Sequence, residues 1–164
     1  MPDAHPLSGS MWETVPRLLA EHRYLVLGTV DDDGGPWVTP LFFAPDGDSR
    51  VVWVSSPDSR HSGNLVARPA VAITLFDTHA PIGRAEAVYL EATAVAVDDG
   101  ALPAALELLN ARLPERQQLG TDEVGPGAAL RAYAATVHRH SVLVRGGDQR
   151  FDNATDARLA VSPP

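Results

Sequence analysis

Between Trp53 and Leu65 the chain reads Trp53-Val54-Ser55-Ser56-Pro57-Asp58-Ser59-Arg60-His61-Ser62-Gly63-Asn64-Leu65. A β-branched apolar run ends in hydroxyls, and an Arg, a His and a helix-like segment follow at once. Those residue types in that order suit a phosphate dianion. Arg60 offers a planar fork that grips phosphate oxygens in pairs. His61 adds a donor, and a bound dianion favours its charged form, so affinity is expected to fall as pH rises through its pKa. Ser55 and Ser56 bring hydroxyls to the strand end. The helix start brings unpaired N–H groups and a partial positive charge. Asn64 lies one turn on, near Arg60 or His61. The same residues also make ordinary structure: Asp58 or Ser59 is a natural helix N-cap, and Arg60 can pair with Asp58 at the surface.

The other candidate constellations are weaker. His138-Arg139-His140 reads as two imidazoles on one strand face, with no third ligand at metal spacing, so no metal site is expected. Asp31-Asp32-Asp33 reads as a solvated turn. Trp12, Trp37 and Trp53 read as packing residues, and Glu107 and Arg112 as surface residues. No nucleophile–base pair, paired-carboxylate site or zinc-protease motif is present, so no side chain is assigned a catalytic role.

Around the hydroxyl-rich segment the chain alternates short strands and turns. Residues 1–10 read as a loose tail and 11–164 as a single domain. Trp12, Val15, Leu18 and Leu19 recur at helical spacing, which predicts a helix over about 11–22. Strands are expected at Tyr24–Val30, Trp37–Ala44 and Val51–Val54, joined by Asp31–Gly35 and Pro45–Asp48 turns. A helix follows over Ser59–Ala67 and a strand over Ala70–Phe76. Glu86–Val97 is a long strand, Ala101–Leu113 a helix and Leu130–Val144 a last long strand, although Ala128–Ala135 is Ala-rich enough for a helix. A short strand is possible at Arg158–Val161. The turns are too short for parallel crossovers. An α+β protein results: an antiparallel split β-barrel of about six strands with two or three peripheral helices.

The chain has 164 residues, with 13 Lys+Arg against 21 Asp+Glu and no cysteine. The net charge of −8 repels nucleic acid and anionic membranes. Without cysteine there are no disulfides or thiolate sites. No apolar run is long enough to span a bilayer, and Met1–Ser10 lacks the pattern of a signal peptide, so a cytoplasmic location is expected.

The order of these parts resembles the pyridoxamine 5'-phosphate oxidase-like, FMN-binding split-barrel family: a three-strand meander ending in Ser55-Ser56, then Ser59-Arg60-His61, a helix, and Arg68-Pro69-Ala70-Val71-Ala72. The resemblance covers about residues 12–97 well. It implies that Ser55 takes the hydroxyl position and Arg60 the phosphate-gripping Arg. His61 stands where the family oxidase has Lys. Val38-Thr39-Pro40-Leu41 matches the strand whose backbone lies along the isoalloxazine ring. The resemblance further implies a homodimer with FMN between subunits and a small-molecule redox substrate. Three departures point away from the oxidase's own substrate. Glu86 or Ala87 replaces a flavin-contacting Gln, Arg158 lacks its companion His, and His140-Ser141 lacks a following Trp. Relatives of this fold bind a deazaflavin or haem, so the alternatives are a deazaflavin-dependent reductase and a non-catalytic flavin- or haem-binding protein.

Overall fold

A computed structural model describes residues 7–164 of the chain. The predicted tail over residues 1–6 lies outside them. Ser8–Met11, by contrast, forms a helical turn (α1) with Ser8 buried, so the tail does not extend to residue 10. Helix α2 (Thr14–Glu21) follows, shorter than the predicted 11–22.

Eight strands form one antiparallel sheet: β1 (Tyr24–Val30), β2 (Pro36–Phe42), β3 (Ala44–Asp46), β4 (Arg50–Ser55), β5 (Ala70–Phe76), β6 (Ala87–Ala96), β7 (Arg131–Val144) and β8 (Ala157–Val161). Helix α3 (Arg60–Ala67) lies between β4 and β5, and α4 (Leu102–Asn110) between β6 and β7. The sheet order is β2-β1-β5-β6-β7-β4-β3. β8 pairs with the C-terminal half of β7, on residues 140–144, while β4 pairs with residues 131–136.

The predicted single strand Trp37–Ala44 is two strands. β2 lies at one edge of the sheet and β3 at the other, and only Phe43 separates them in sequence. A sheet whose opposite edges are one residue apart must curl on itself, which is the split barrel. Phe43 is fully buried at this crossing. The Ala-rich start of β7 is strand, not helix, because β4 and β6 pair with both of its edges; tertiary pairing overrides alanine's helix preference.

Strand alternation sorts the two faces. Leu25, Leu27, Val51, Trp53, Leu90, Tyr133 and Val142 fill the barrel, with Trp12, Val15, Leu18 and Leu19 below them and Leu65 of α3 joining the same cluster. Val52, Ala132 and Ala134 face outward under α4, against Leu102, Ala105, Leu106 and Leu109. α2 runs into the start of β1, whereas α3 is tied to the turn after β1's end, so the helices sit at opposite ends of that strand.

A β-bulge divides β7. Glu91 pairs with Arg139 but Ala92 pairs with Val137, leaving His138 as the extra residue. The bulge overturns the expectation that His138 and His140 share a face. His140 lies opposite Leu90, its ring edge-on to Trp12 at 5.0 Å, with Nε2 2.7 Å from the Asp48 carbonyl oxygen. His138 faces outward, with Nε2 2.7 Å from Thr93 Oγ1. Among the described residues no group of three His, Asp or Glu is placed to hold a metal. Among the described residues no helix is long and apolar enough to cross a membrane.

Arg112 is likewise not a free surface residue. Its guanidinium donates to the carbonyl oxygens of Leu19 (3.3 Å), Phe43 (3.2 Å), Ala20 (3.0 Å) and His22 (2.5 Å). It caps the C-terminal end of α2 and ties that end to the β2–β3 crossing. Burial pushes its pKa down, but an arginine stays charged. Arg112→Met keeps the stem and deletes these bonds. It is expected to lower stability by about 2–3 kcal/mol, read as a lower denaturant midpoint at unchanged slope. An unchanged midpoint would mean that water satisfies those carbonyls equally well.

Candidate functional site

β4 delivers Ser55 to one end of the barrel, and the chain turns through Ser56–Ser59 into α3. Ser59 is the N-cap: its Oγ accepts from Ser62 N at 3.4 Å and donates to the Ser56 carbonyl oxygen at 2.8 Å. The N–H groups of Arg60 and His61 therefore open the helix without intrahelical acceptors.

Arg60 and His61 leave this helix start in opposite senses. The His61 ring turns inward and is buried. Its Nε2 lies 2.9 Å from Ser55 Oγ and 3.1 Å from Ser59 Oγ. Burial pushes its pKa below the ordinary value of 6.5. A neutral imidazole is thus favoured near pH 7 in the ligand-free protein, and the charged form expected with a bound dianion would have to overcome that burial. Ser55 is buried with it, and Ser56 is half-buried.

The Arg60 side chain stays exposed and crosses to the β1–β2 turn. Its Nη2 donates to Asp31 Oδ2 at 2.5 Å, and its guanidinium lies 4.4 Å from the Trp37 ring centre. The partner is Asp31, 29 residues earlier, and not Asp58. Asp31 also accepts from Gly35 N (2.7 Å) and Asp33 N (3.1 Å). Arg60, first, and these N–H groups hold its pKa below the usual carboxylate range. Arg68 repeats the pattern on Asp32 at 2.7 Å. The acidic turn is thus a two-arginine anchor for α3, not merely solvated. Asn64 is buried and donates through Nδ2 to Thr29 Oγ1 at 2.9 Å, a third brace from α3 to β1.

β2 brings its own surface beside Arg60. Val38 and Pro40 face outward, opposite Gly28 and Val26 of β1. Thr39 and Leu41 lie opposite Leu27 and Leu25, on the core side, and the Leu41 side chain is buried. The outward side of β1, β2, β5 and β6 forms a trough of about 250 Å³ that includes Val38, Gly28, Ala72 and Tyr89. Gly28 keeps its floor low: a Cβ there would come 3.3 Å from the Ala72 carbonyl oxygen. Arg158 stacks on Tyr89 at 3.9 Å along its rim. Sequence reasoning did not find Gly28, Ala72 or Tyr89, because the trough depends on register between strands far apart in the chain. Glu86 does not line the trough and is held by Arg17 of α2 at 2.8 Å.

Small outward residues lie beside an exposed apolar strand that ends near an arginine on a helix start. A family model described as pyridoxamine 5'-phosphate oxidase matches residues 11–139. The chain belongs to that family. No curated protein matches the sequence. Among solved structures, an F420 reductase is 24% identical with a TM-score of 0.56, covering 76% of this chain and 94% of its own. A haem storage protein from Vibrio cholerae is 22% identical with a TM-score of 0.64, covering 82% and 94%. An FAD-binding protein from Mesorhizobium loti is 19% identical with a TM-score of 0.60, covering 79% and 91%. These similarities show the split-barrel fold.

His61 yields a test of the site's electrostatics. Its folded pKa is depressed, so the unfolded chain takes up the proton first. The stability it contributes is full above about pH 6.5 and is lost as pH falls toward the folded pKa. Between about pH 7.5 and pH 5 the wild-type melting temperature is expected to drop further than that of His61→Gln. The remaining histidines are common to both proteins. Parallel pH profiles would show that His61 is not held neutral.

Proposed function

We propose that this chain is a cytoplasmic, homodimeric FMN-binding oxidoreductase acting on a small molecule, and not a pyridoxamine 5'-phosphate oxidase proper. The observation that carries this reading is Arg60, held at the start of α3 beside the outward strip of β2. Its guanidinium, the N–H groups opening α3 and the Ser56 hydroxyl form a donor set suited to a flavin phosphate. Val38 and Pro40, with the backbone of Thr39 and Leu41, suit one face of the ring. Bound FMN would supply hydride or electron transfer. The protein's own residues bind and orient it; none is assigned as acid or base. Ser55, His61 and Asn64 support the clamp from beneath: His61 fixes the two serine hydroxyls, and Asn64 fixes α3 to β1.

Tyr24, Val38 and Phe76, 64%, 67% and 43% exposed, lie on the outward side of neighbouring strands. An apolar face of that kind supports a subunit interface there. A deazaflavin carries a long acidic tail and needs a basic tract. Besides Arg60, five arginines are already paired with carboxylates, and the chain has no lysine. That favours FMN. For haem, His138 is the exposed one of the two β7 histidines, whereas His140 is engaged with Trp12 and Asp48.

The Asp31–Arg60 pair sets the sign of two substitutions. Arg60→Ala is expected to weaken FMN binding on the order of thirtyfold, the loss of one charge-assisted fork. Asp31→Asn keeps an acceptor for the turn but removes the carboxylate that competes with phosphate, and is expected to tighten binding about fivefold. Quenching of flavin fluorescence measures both. Affinity unchanged in both variants would remove Arg60 from the phosphate site.

A further inference from the structure

The face of α3 turned away from Arg60 borders a second cleft. At 100° per residue, Arg60, Asn64 and Arg68 point toward the β1–β2 hairpin, and Ser62, Leu65 and Val66 point to the other side. There α3, the end of β6 and the start of β7 enclose a cleft of about 560 Å³, within the range of small-molecule sites. Its walls are mainly apolar. Val66 and Val95 are 90% and 54% exposed on it, and Tyr133 lies at its base, stacked on Trp53 at 5.9 Å.

One cation lines this apolar cleft. Arg131 opens β7 directly opposite Ser55 of β4. Its neighbour Ala132 turns outward beneath α4, so alternation sets Arg131 with Tyr133 on the cleft side. The side chain is half-buried, and among the described residues no carboxylate pairs with it. Ser62 Oγ, the nearest hydroxyl on α3, already lies 2.8 Å from Ser59 Oγ. A single uncompensated guanidinium in an apolar cleft does not match a phosphate dianion, which needs several donors. It matches one negative charge on a flat apolar body.

We propose that this cleft binds a small aromatic or similarly apolar carboxylate, with its carboxylate on Arg131 and its body between Val66, Val95 and Tyr133. The site is separate from the proposed flavin clamp, since the two lie on opposite faces of α3.

Calorimetric titration with 2-naphthoate and its neutral isostere 2-naphthamide tests it on the full chain. The wild type is expected to prefer the acid about tenfold. Arg131→Met should abolish that preference and Arg131→Lys should restore part of it, while Val66→Asp should weaken both probes. Arg60→Ala should leave naphthoate binding unchanged, and Arg131→Met should leave FMN binding unchanged, so this site and the flavin clamp fail separately. The proposal is overturned if naphthoate shows no saturable binding, if the wild type does not distinguish acid from amide, or if Arg131→Met leaves the preference intact.

Discussion

A single buried residue, Phe43, governs the shape of this protein. It joins strands that lie at opposite edges of the sheet, so the sheet cannot be flat. Arg112 fixes the crossing by bonding the Phe43 carbonyl oxygen together with three carbonyls at and just beyond the end of α2. Burying a guanidinium there costs solvation, and four acceptors offset it. Curling then leaves an interior to be filled and two ends to be closed. Trp12 and its helical neighbours occupy one end and Leu65 of α3 the other.

Closing the second end with α3 is what assembles the candidate site. The helix must be pinned to β1, and the pins are polar: Asp31–Arg60, Asp32–Arg68 and Thr29–Asn64. A residue suited to phosphate thereby also holds the fold together. Arg60 is pre-positioned by a carboxylate and an indole ring, at the cost of competition from that carboxylate. His61, facing the other way, becomes part of a buried hydroxyl network and not a second cation.

Much of this was legible in the sequence, because local signals were strong and consistent. Ala70–Phe76 is a strand over the predicted residues, and Ser59 caps α3 where its hydroxyl predicted. The antiparallel, turn-linked barrel followed from short connections. What was not legible depends on residues meeting from far along the chain. Trp37–Ala44 has one uniform strand pattern, yet it changes partners at Phe43. Arg60 meets Asp31 only after the sheet curls. The bulge at His138 has no local signature, and it reverses the facing of everything after it. Arg112 reads as a surface residue at a helix end until α2 is placed beside it. The residues proposed as a clamp stand out by type and order; their division into an outward arginine and an inward histidine needed the three-dimensional arrangement.

The start of α3 and the outward side of β2 are proposed to hold FMN in a dimer. Native mass spectrometry of the protein as purified, with its visible absorption spectrum, addresses ligand and assembly together. A dimer whose excess mass is that of FMN is expected, together with a flavin spectrum. A colourless protein that gains no FMN mass when FMN is added, or one carrying haem with a Soret band, would contradict that proposal.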